Sequence, residues 1–323
     1  MPRPAASAPL FPFNPHTPLS TESMDITAVV VTFNRRTLLE RTVQSLRSQT
    51  LPLSRIIVVN NGSTDGTAEW LAGQADLVVI TQENVGGSGG FATGIQAAYD
   101  AGADRIWCMD DDVFPQPTCL ERLMAAAATH PDAAILAPRR RMEGRIFCHD
   151  FCRYNLTNPF ASMYAGRLHK RPPEAPTYVV GTAFEGPLVS REVVERIGLP
   201  NRDLFIFCDD TDYCLRTHLA GMRLLYVPDA PMDKHRFFSD DTWAERQEKK
   251  KWKRYYQVRN AAYLNHHYGR NWGVRHLRSF INVSGYILTA AVAAPLGKGW
   301  KWADIPRLWH AYRDGVHERL GKM

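Results

Sequence analysis

The run Arg105-Ile106-Trp107-Cys108-Met109-Asp110-Asp111-Asp112 decides how this chain is read. A largely apolar, strand-like segment ends in three carboxylates. Like charges a few ångströms apart repel, so a cluster of this kind persists where something neutralises it. A divalent cation does so, and packed carboxylate oxygens suit Mg2+ or Mn2+. The alternative reading is a solvated acidic turn that caps a helix after Pro117.

Outward from that segment, strands and helices alternate at short spacing. ITAVVVT at residues 26–32 predicts a buried parallel strand, and Leu38, Leu39, Val43 and Leu46 predict a helix over residues 35–48. A second strand at residues 55–60 meets the turn Asn61-Gly62-Ser63-Thr64-Asp65-Gly66, and a helix passes through Trp70 and Leu71. A third strand at 77–81 precedes the glycine-rich run 84–90, read as a loop, which leads into a helix over 92–99. The strand at 105–109 then delivers the aspartates. This pattern predicts an open, doubly wound α/β sheet, in which ligands gather at the carboxyl ends of the strands. The second half reads as less regular: a helix over 120–128, a strand at 178–180, a helix over 190–197 closed by Gly198, a helix over 212–220 and a strand at 223–227.

The chain has 323 residues, 45% hydrophobic, enough for one large α/β domain and an appended piece. Its net charge of +6 favours anionic partners. Six cysteines carry no CxxC pair, which argues against zinc and for reduced thiols in a cytosolic protein. Residues 1–24, rich in Pro, Ala and Ser, read as a disordered tail rather than a signal peptide, with Met24 as an alternative start.

Gly86-Gly87-Ser88-Gly89-Gly90 has the composition of a phosphate-binding loop. It lacks the Walker ending and the dinucleotide spacing, so the glycines are expected to let backbone approach a sugar nucleotide. Asp209 and Asp210 form a second carboxylate pair after Phe205-Ile206-Phe207-Cys208. Crowding raises the pKa of one member, as a general base requires, whereas Asp212 reads as a helix cap. His235 is either structural or a metal ligand. The basic, aromatic segment 252–260 suits a pyrophosphate or sugar acceptor. A nucleic-acid role would leave both carboxylate clusters unexplained, so no nucleic-acid partner is expected. Residues 279–297, uncharged but for their basic flanks, are a poor membrane span and read as a core helix or a peripheral membrane contact.

In order, VVVTFNR, VVNNGSTDGT, NVGGSGGFATG, WCMDDDV, FIFCDDTDYCLR and KHRF resemble the motifs of family 2 inverting glycosyltransferases, nearest the galactofuranosyltransferase- and rhamnosyltransferase-like branch. The likeness runs over roughly residues 25–264. It implies a GT-A (Rossmann-like) domain over residues 25–240, with a mixed, mainly parallel sheet flanked by helices, and a basic, helical C-terminal region over 241–323. It implies a nucleotide-sugar donor held by Thr32, Asn34, Arg35, Asn60, Gly87 and Asp111. The family often has Asp where Asn60 stands, which leaves the nucleobase open. It further implies Mn2+ or Mg2+ on Asp110, Asp112 and His235, and Asp210 as catalytic base with Asp209 beside it. The acceptor would be a glycan or lipid-linked glycan, met in the cytoplasm at the inner face of the cell membrane. A non-catalytic sugar-nucleotide or glycan-binding protein is the alternative reading.

Overall fold

The computed structural model describes residues 24–146, 150–168, 172–237, 242–297 and 299–323; the expected N-terminal tail, except Met24, lies outside them. β1 (Ile26–Thr32) is buried throughout and pairs in parallel with β2 (Arg55–Asn60). Between them runs α1 (Arg36–Arg47). Next come α2 (Thr67–Ala72), β3 (Leu77–Thr81) parallel to β2, α3 (Gly86–Asp100), and β4 (Arg105–Asp110) parallel to β1. Successive β1 side chains serve opposite layers. Ala28 and Val30 join Leu39, Val43 and Leu46 of α1, while Val29 and Val31 join Phe91, Ile95 and Ala98 of α3. A strand buried on both faces needs this unbroken apolar run. The parallel register sets Thr32 beside Asn60 and Val31 beside Asp110, so one end of the sheet collects the polar residues.

The glycine-rich run is not a loop but the first turns of α3. A Cβ on Gly90 would lie 2.5 Å from Val31 Cγ1 and one on Gly94 2.3 Å from Val29 Cγ1, so these glycines let the helix lie directly on β1. Only Gly87 of the run lines the cleft described below.

The chain continues through β5 (Val113–Pro115), α4 (Cys119–Thr129), β6 (Ala133–Met142) and β7 (Arg145–Ile146). β8 (Phe151–Tyr154) and β9 (Tyr164–Arg167) form a separate two-stranded ribbon, and β10 (Thr177–Val179) returns to the main sheet. β11 (Glu185–Ser190), α5 (Arg191–Ile197), α6 (Asp209–Leu219) and β12 (Arg223–Lys234) complete the domain. The order along the main path is β10-β12-β6-β11-β4-β1-β2-β3, with β11 antiparallel to both β4 and β6. Sequence patterning assigns no strand to β6 or β11 and ends β12 at Val227. The reason is chemical. β6 ends in Pro138-Arg139-Arg140-Arg141, β11 carries Gly186-Pro187, and β12 carries Pro228 and Pro231; the ladders absorb them through register shifts between Val227 and Pro231 and between Glu185 and Leu188.

α7 (Trp243–Lys249), α8 (Lys251–Tyr268), a π-helical stretch Gly273–Arg278, α9 (Ser279–Ala293) and α10 (Asp304–Val316) form the C-terminal region. Val258, Val283, Ala290, Leu308 and Ala311 make its core. α9 is therefore a core helix on one side, yet Ile281, Leu288 and Val292 remain exposed on the other. Among the described residues no helix is long and apolar enough to cross a membrane.

Candidate active site

At the carboxyl end of β4 the three aspartates diverge. Asp111, 2% exposed, accepts hydrogen bonds from Thr32 Oγ1 at 2.8 Å and from Arg35 at 3.0 Å. Its backbone carbonyl accepts from Thr42 Oγ1 at 2.8 Å. Both Asp111 carboxylate oxygens are thus engaged, one by Thr32 and the other by Arg35. Asp110 and Asp112 instead line a cleft of about 640 Å3 together with Asp209 and Asp210, with Arg35, Gly87, Glu185, Lys234 and Lys253 also in its wall.

Alternating charges run from the buried interior into the cleft wall. Arg140, fully buried, pairs with Asp150 at 2.6 Å and reaches Glu185 at 3.5 Å. Lys234 Nζ bridges Glu185 at 2.9 Å and Asp112 at 2.8 Å, and Arg35 lies 3.6 Å from Asp112. Burial works against the charge of Lys234, but Glu185, Asp112 and Asp110 together outweigh it and hold the ammonium above its ordinary pKa. Among the described residues the Asp110 side chain makes no hydrogen bond or ion pair, and burial together with Asp112 pushes its carboxyl well up. Glu185 and Lys234 were not singled out in the sequence. A lone acid inside the apolar run Ala183-Phe184-Glu185-Gly186 was the available signal for the first.

The opposite wall is strained backbone. Phe205, Phe207 and Cys208 adopt φ of 64°, 67° and 64° just ahead of Asp209. Non-glycine residues persist in this region only when their surroundings over-determine them. Here Asn260 Nδ2 donates to the carbonyls of Leu204, Ile206 and Phe207 at 2.9, 2.9 and 2.8 Å. Arg259 donates to Leu204 O at 3.0 Å, Ser88 N–H to Phe205 O at 3.2 Å, and Tyr256 stacks on Phe205 with centroids 4.9 Å apart. Tyr256, Arg259 and Asn260 are buried, and this part of the basic aromatic segment clamps the loop. With the loop so shaped, α6 begins at Asp209, not Asp212. Asp212 is no cap: it accepts from Arg216 at 2.9 Å and Tyr268 at 2.6 Å.

Burial, with Asp210 alongside, raises the Asp209 carboxyl to about 7, and burial raises Asp210 to about 6 against hydrogen bonds from Thr211. Asp210 therefore ionises near neutrality, in the range a general base needs.

Five expected residues lie outside the cleft wall: Thr32 and Asp111, hydrogen-bonded to each other, and Asn34, Asn60 and His235. Asn34 Oδ1 accepts from Thr64 N at 2.7 Å, and Asn60 Oδ1 accepts from Ser63 N at 3.0 Å, so both shape the turn after β2. Asn60 is 1% exposed and its Nδ2 is unpartnered. The His235 N–H donates to the Asp112 carbonyl at 2.8 Å, but its ring packs edge-on against Phe237. Among the described residues no three His, Cys, Asp or Glu side chains converge to hold a metal. The donor chemistry of Asp110 and Asp112 nevertheless fits a hard cation, because the Asp110 carboxylate has neighbouring negative charge and, among the described residues, no hydrogen-bond or ion-pair partner; the His235 ring is not gathered with them.

An open, mainly parallel sheet with a carboxylate-lined cleft at its strand ends defines a GT-A-type glycosyltransferase, and comparison with known proteins agrees. The model described as glycosyl transferase family 2 matches residues 27–179, and that described as glycosyl transferase family group 2 matches residues 105–305. The chain is 27% identical over 219 residues to a protein named galactofuranosyltransferase GlfT1 from Mycolicibacterium smegmatis, covering 62% of this chain and 68% of that protein. It is 30% identical to GlfT1 of Mycobacterium tuberculosis H37Rv, covering 62% and 66%, and 25% identical to the dTDP-rhamnosyl transferase RfbF of Shigella flexneri, covering 64% and 68%. The solved structure of GalNAc-T7 with UDP, GalNAc and Mn2+ shares the fold at a TM-score of 0.54 and 15% identity, over 81% of this chain and 55% of that one. The chain belongs to the family 2 glycosyltransferases.

Proposed function

We propose that the protein is a metal-dependent inverting glycosyltransferase that moves galactofuranose from UDP or rhamnose from dTDP to a glycan or lipid-linked acceptor. The observation that carries this reading is that Asp110 and Asp112 line the same cleft as Asp209 and Asp210. Asp210 takes the proton from the acceptor hydroxyl, and the deprotonated oxygen displaces the nucleotide in line, inverting the anomeric carbon. Asp209 orients that hydroxyl. Arg35 and Lys253 line the donor side and complement a diphosphate. Asp110 and Asp112 would hold Mn2+ or Mg2+, which when bound neutralises charge developing on the leaving diphosphate. The donor choice follows the names of the relatives. The exposed apolar side of α9 supports peripheral attachment to the inner face of the cell membrane.

The test is transfer and nucleotide binding by the purified protein across UDP- and dTDP-sugars, with and without Mn2+. Asp210→Asn should lower turnover by about 10²–10⁴-fold with donor affinity retained, and Asp110→Asn should weaken metal-dependent nucleotide binding. Full turnover by Asp210→Asn, or nucleotide affinity indifferent to both metal and Asp110, overturns the reading.

A further inference from the structure

Beside the acid cleft, two smaller hollows join it along the seam between α8 and α9. Gln257 lines the cleft and a hollow of about 280 Å3; Ala261 and Asn282 line that hollow and a further one of about 410 Å3; Tyr164 lines the latter and the cleft. Gln257, Ala261 and Asn265 repeat every four residues along one face of α8, so the hollows form one furrow that starts at the acid pair. Tyr164 stands at its head, its hydroxyl 3.5 Å from Thr211 Oγ1, beside Asp210.

The outer hollow is walled by Phe160, Met163, Leu264 and Ile281, and by one cation, Arg278. Arg278 is 3% exposed. It donates to Asn265 Oδ1 at 3.1 Å and to the Asn158 carbonyl at 2.6 Å, but its Nε is unpartnered. Among the described residues no carboxylate pairs with it, and burial lowers its pKa. A buried guanidinium without an anion is costly, and at the wall of a furrow open to ligand the missing anion is one the ligand can bring. Ile281 also begins the exposed stripe Ile281, Leu288, Val292 and Leu296, so the apolar wall passes continuously onto the outer face of α9.

We propose that this furrow seats an amphiphilic acceptor, with its sugar at Asp210, its phosphate or diphosphate against Arg278, and its hydrocarbon chain running along Phe160 and Ile281 toward the outer face of α9. The inference rests on the glycosyltransferase reading and adds the position of the acceptor's anionic and apolar parts.

The full-length protein, saturated with whichever of UDP or dTDP binds, is titrated calorimetrically with farnesyl diphosphate, farnesol and inorganic diphosphate. Farnesyl diphosphate should bind at least about tenfold more tightly than either fragment. Ala261→Trp, which fills the furrow, and Ile281→Asp, which charges its exposed end, should each weaken it by about tenfold or more. Arg278→Gln should abolish the advantage over farnesol. Should that variant fail to fold, the other two decide. Competition between farnesyl diphosphate and the nucleotide, equal affinity for inorganic diphosphate, or affinity unaffected by Ala261→Trp and Ile281→Asp overturns the proposal. Nucleotide binding and transfer to a soluble sugar without any of these lipid effects overturns the furrow alone; loss of nucleotide binding across the panel overturns the glycosyltransferase reading and this inference with it.

Discussion

The side-chain amide of Asn260 donates to the carbonyl of Phe207 at 2.8 Å, and so holds a residue at φ 67° immediately before the acid pair. The same nitrogen serves Leu204 and Ile206, which makes one C-terminal side chain the clamp of the catalytic loop. Asn260→Ala leaves the Ile206 and Phe207 carbonyls without this donor, while the Leu204 carbonyl keeps Arg259, a cost of about 1–3 kcal/mol. Displacing the acid pair by about 1 Å should lower turnover on the order of 10²-fold. Nucleotide affinity should hold, because the clamp does not touch the strand-end carboxylates. Chemical denaturation and separate measurement of kcat and donor KM check this; equal losses in both kinetic constants would count against a clamp confined to the loop.

Lys234 offers a second test. Its ammonium joins Asp112 and Glu185 inside the cleft wall. Lys234→Gln leaves two carboxylates facing each other without their shared cation, and removing one partner from a buried ion pair costs about 3–5 kcal/mol. Thermal melts at neutral pH should show a clear drop, and Lys234→Arg should recover part of it. A melting temperature unchanged by the glutamine would mean that Asp112 and Glu185 are neutralised by something other than Lys234.

The pH response follows from the raised carboxyls. Asp210, at about 6, must be ionised to accept a proton, so transfer should fall as pH drops through about 6 while nucleotide binding declines less. Stability runs the other way. A carboxyl whose folded pKa lies above its unfolded value of about 4 binds its proton more tightly in the native state. Its contribution is complete below pH 4 and is lost as pH rises toward about 7, the value for Asp209. Asp209→Asn removes this loss, so its melting temperature should climb relative to the parent between pH 4 and pH 7. A constant offset across that range would contradict the burial of Asp209 as the source of its raised pKa.

The first half of the fold was legible because its strands are written in β-branched residues, with β1 and β2 buried and β3 at the exposed edge: Ile26–Thr32, Arg55–Asn60 and Leu77–Thr81 have the same bounds in sequence and structure. β6, β11 and the end of β12 were not, because prolines, glycine and arginines break the apolar pattern and are accommodated only by register shifts with strands distant in the chain. Both acidic clusters announced themselves as adjacent carboxylates. The partners that tune them did not: Glu185, Lys234 and Arg140 come from three strands that only the tertiary fold assembles. Nor could composition separate the glycines of α3 by task, since packing, a backbone crossing and the cleft each claim different members of one run.

That division gives the last prediction. Gly86 has φ +79°, and a Cβ there would lie 2.0 Å from the carbonyl oxygen of Phe205, in the strained catalytic loop. Gly87, one residue on, would meet nothing within 4 Å and lines the cleft. Gly86→Ala must push the loop away or twist α3, and overpacking of this kind costs about 1–3 kcal/mol before the backbone strain is added. Gly87→Ala should fold with near-parental stability, since alanine is the better helix former by about 1 kcal/mol. Its methyl enters the cleft, so it should weaken nucleotide binding instead. Melting curves and nucleotide titrations on the two variants should therefore sort oppositely, with Gly86→Ala losing stability and Gly87→Ala losing affinity. If Gly87→Ala binds nucleotide as well as the parent, the start of α3 does not approach the donor, and the donor side of the cleft is bounded by Arg35 and Lys253 alone.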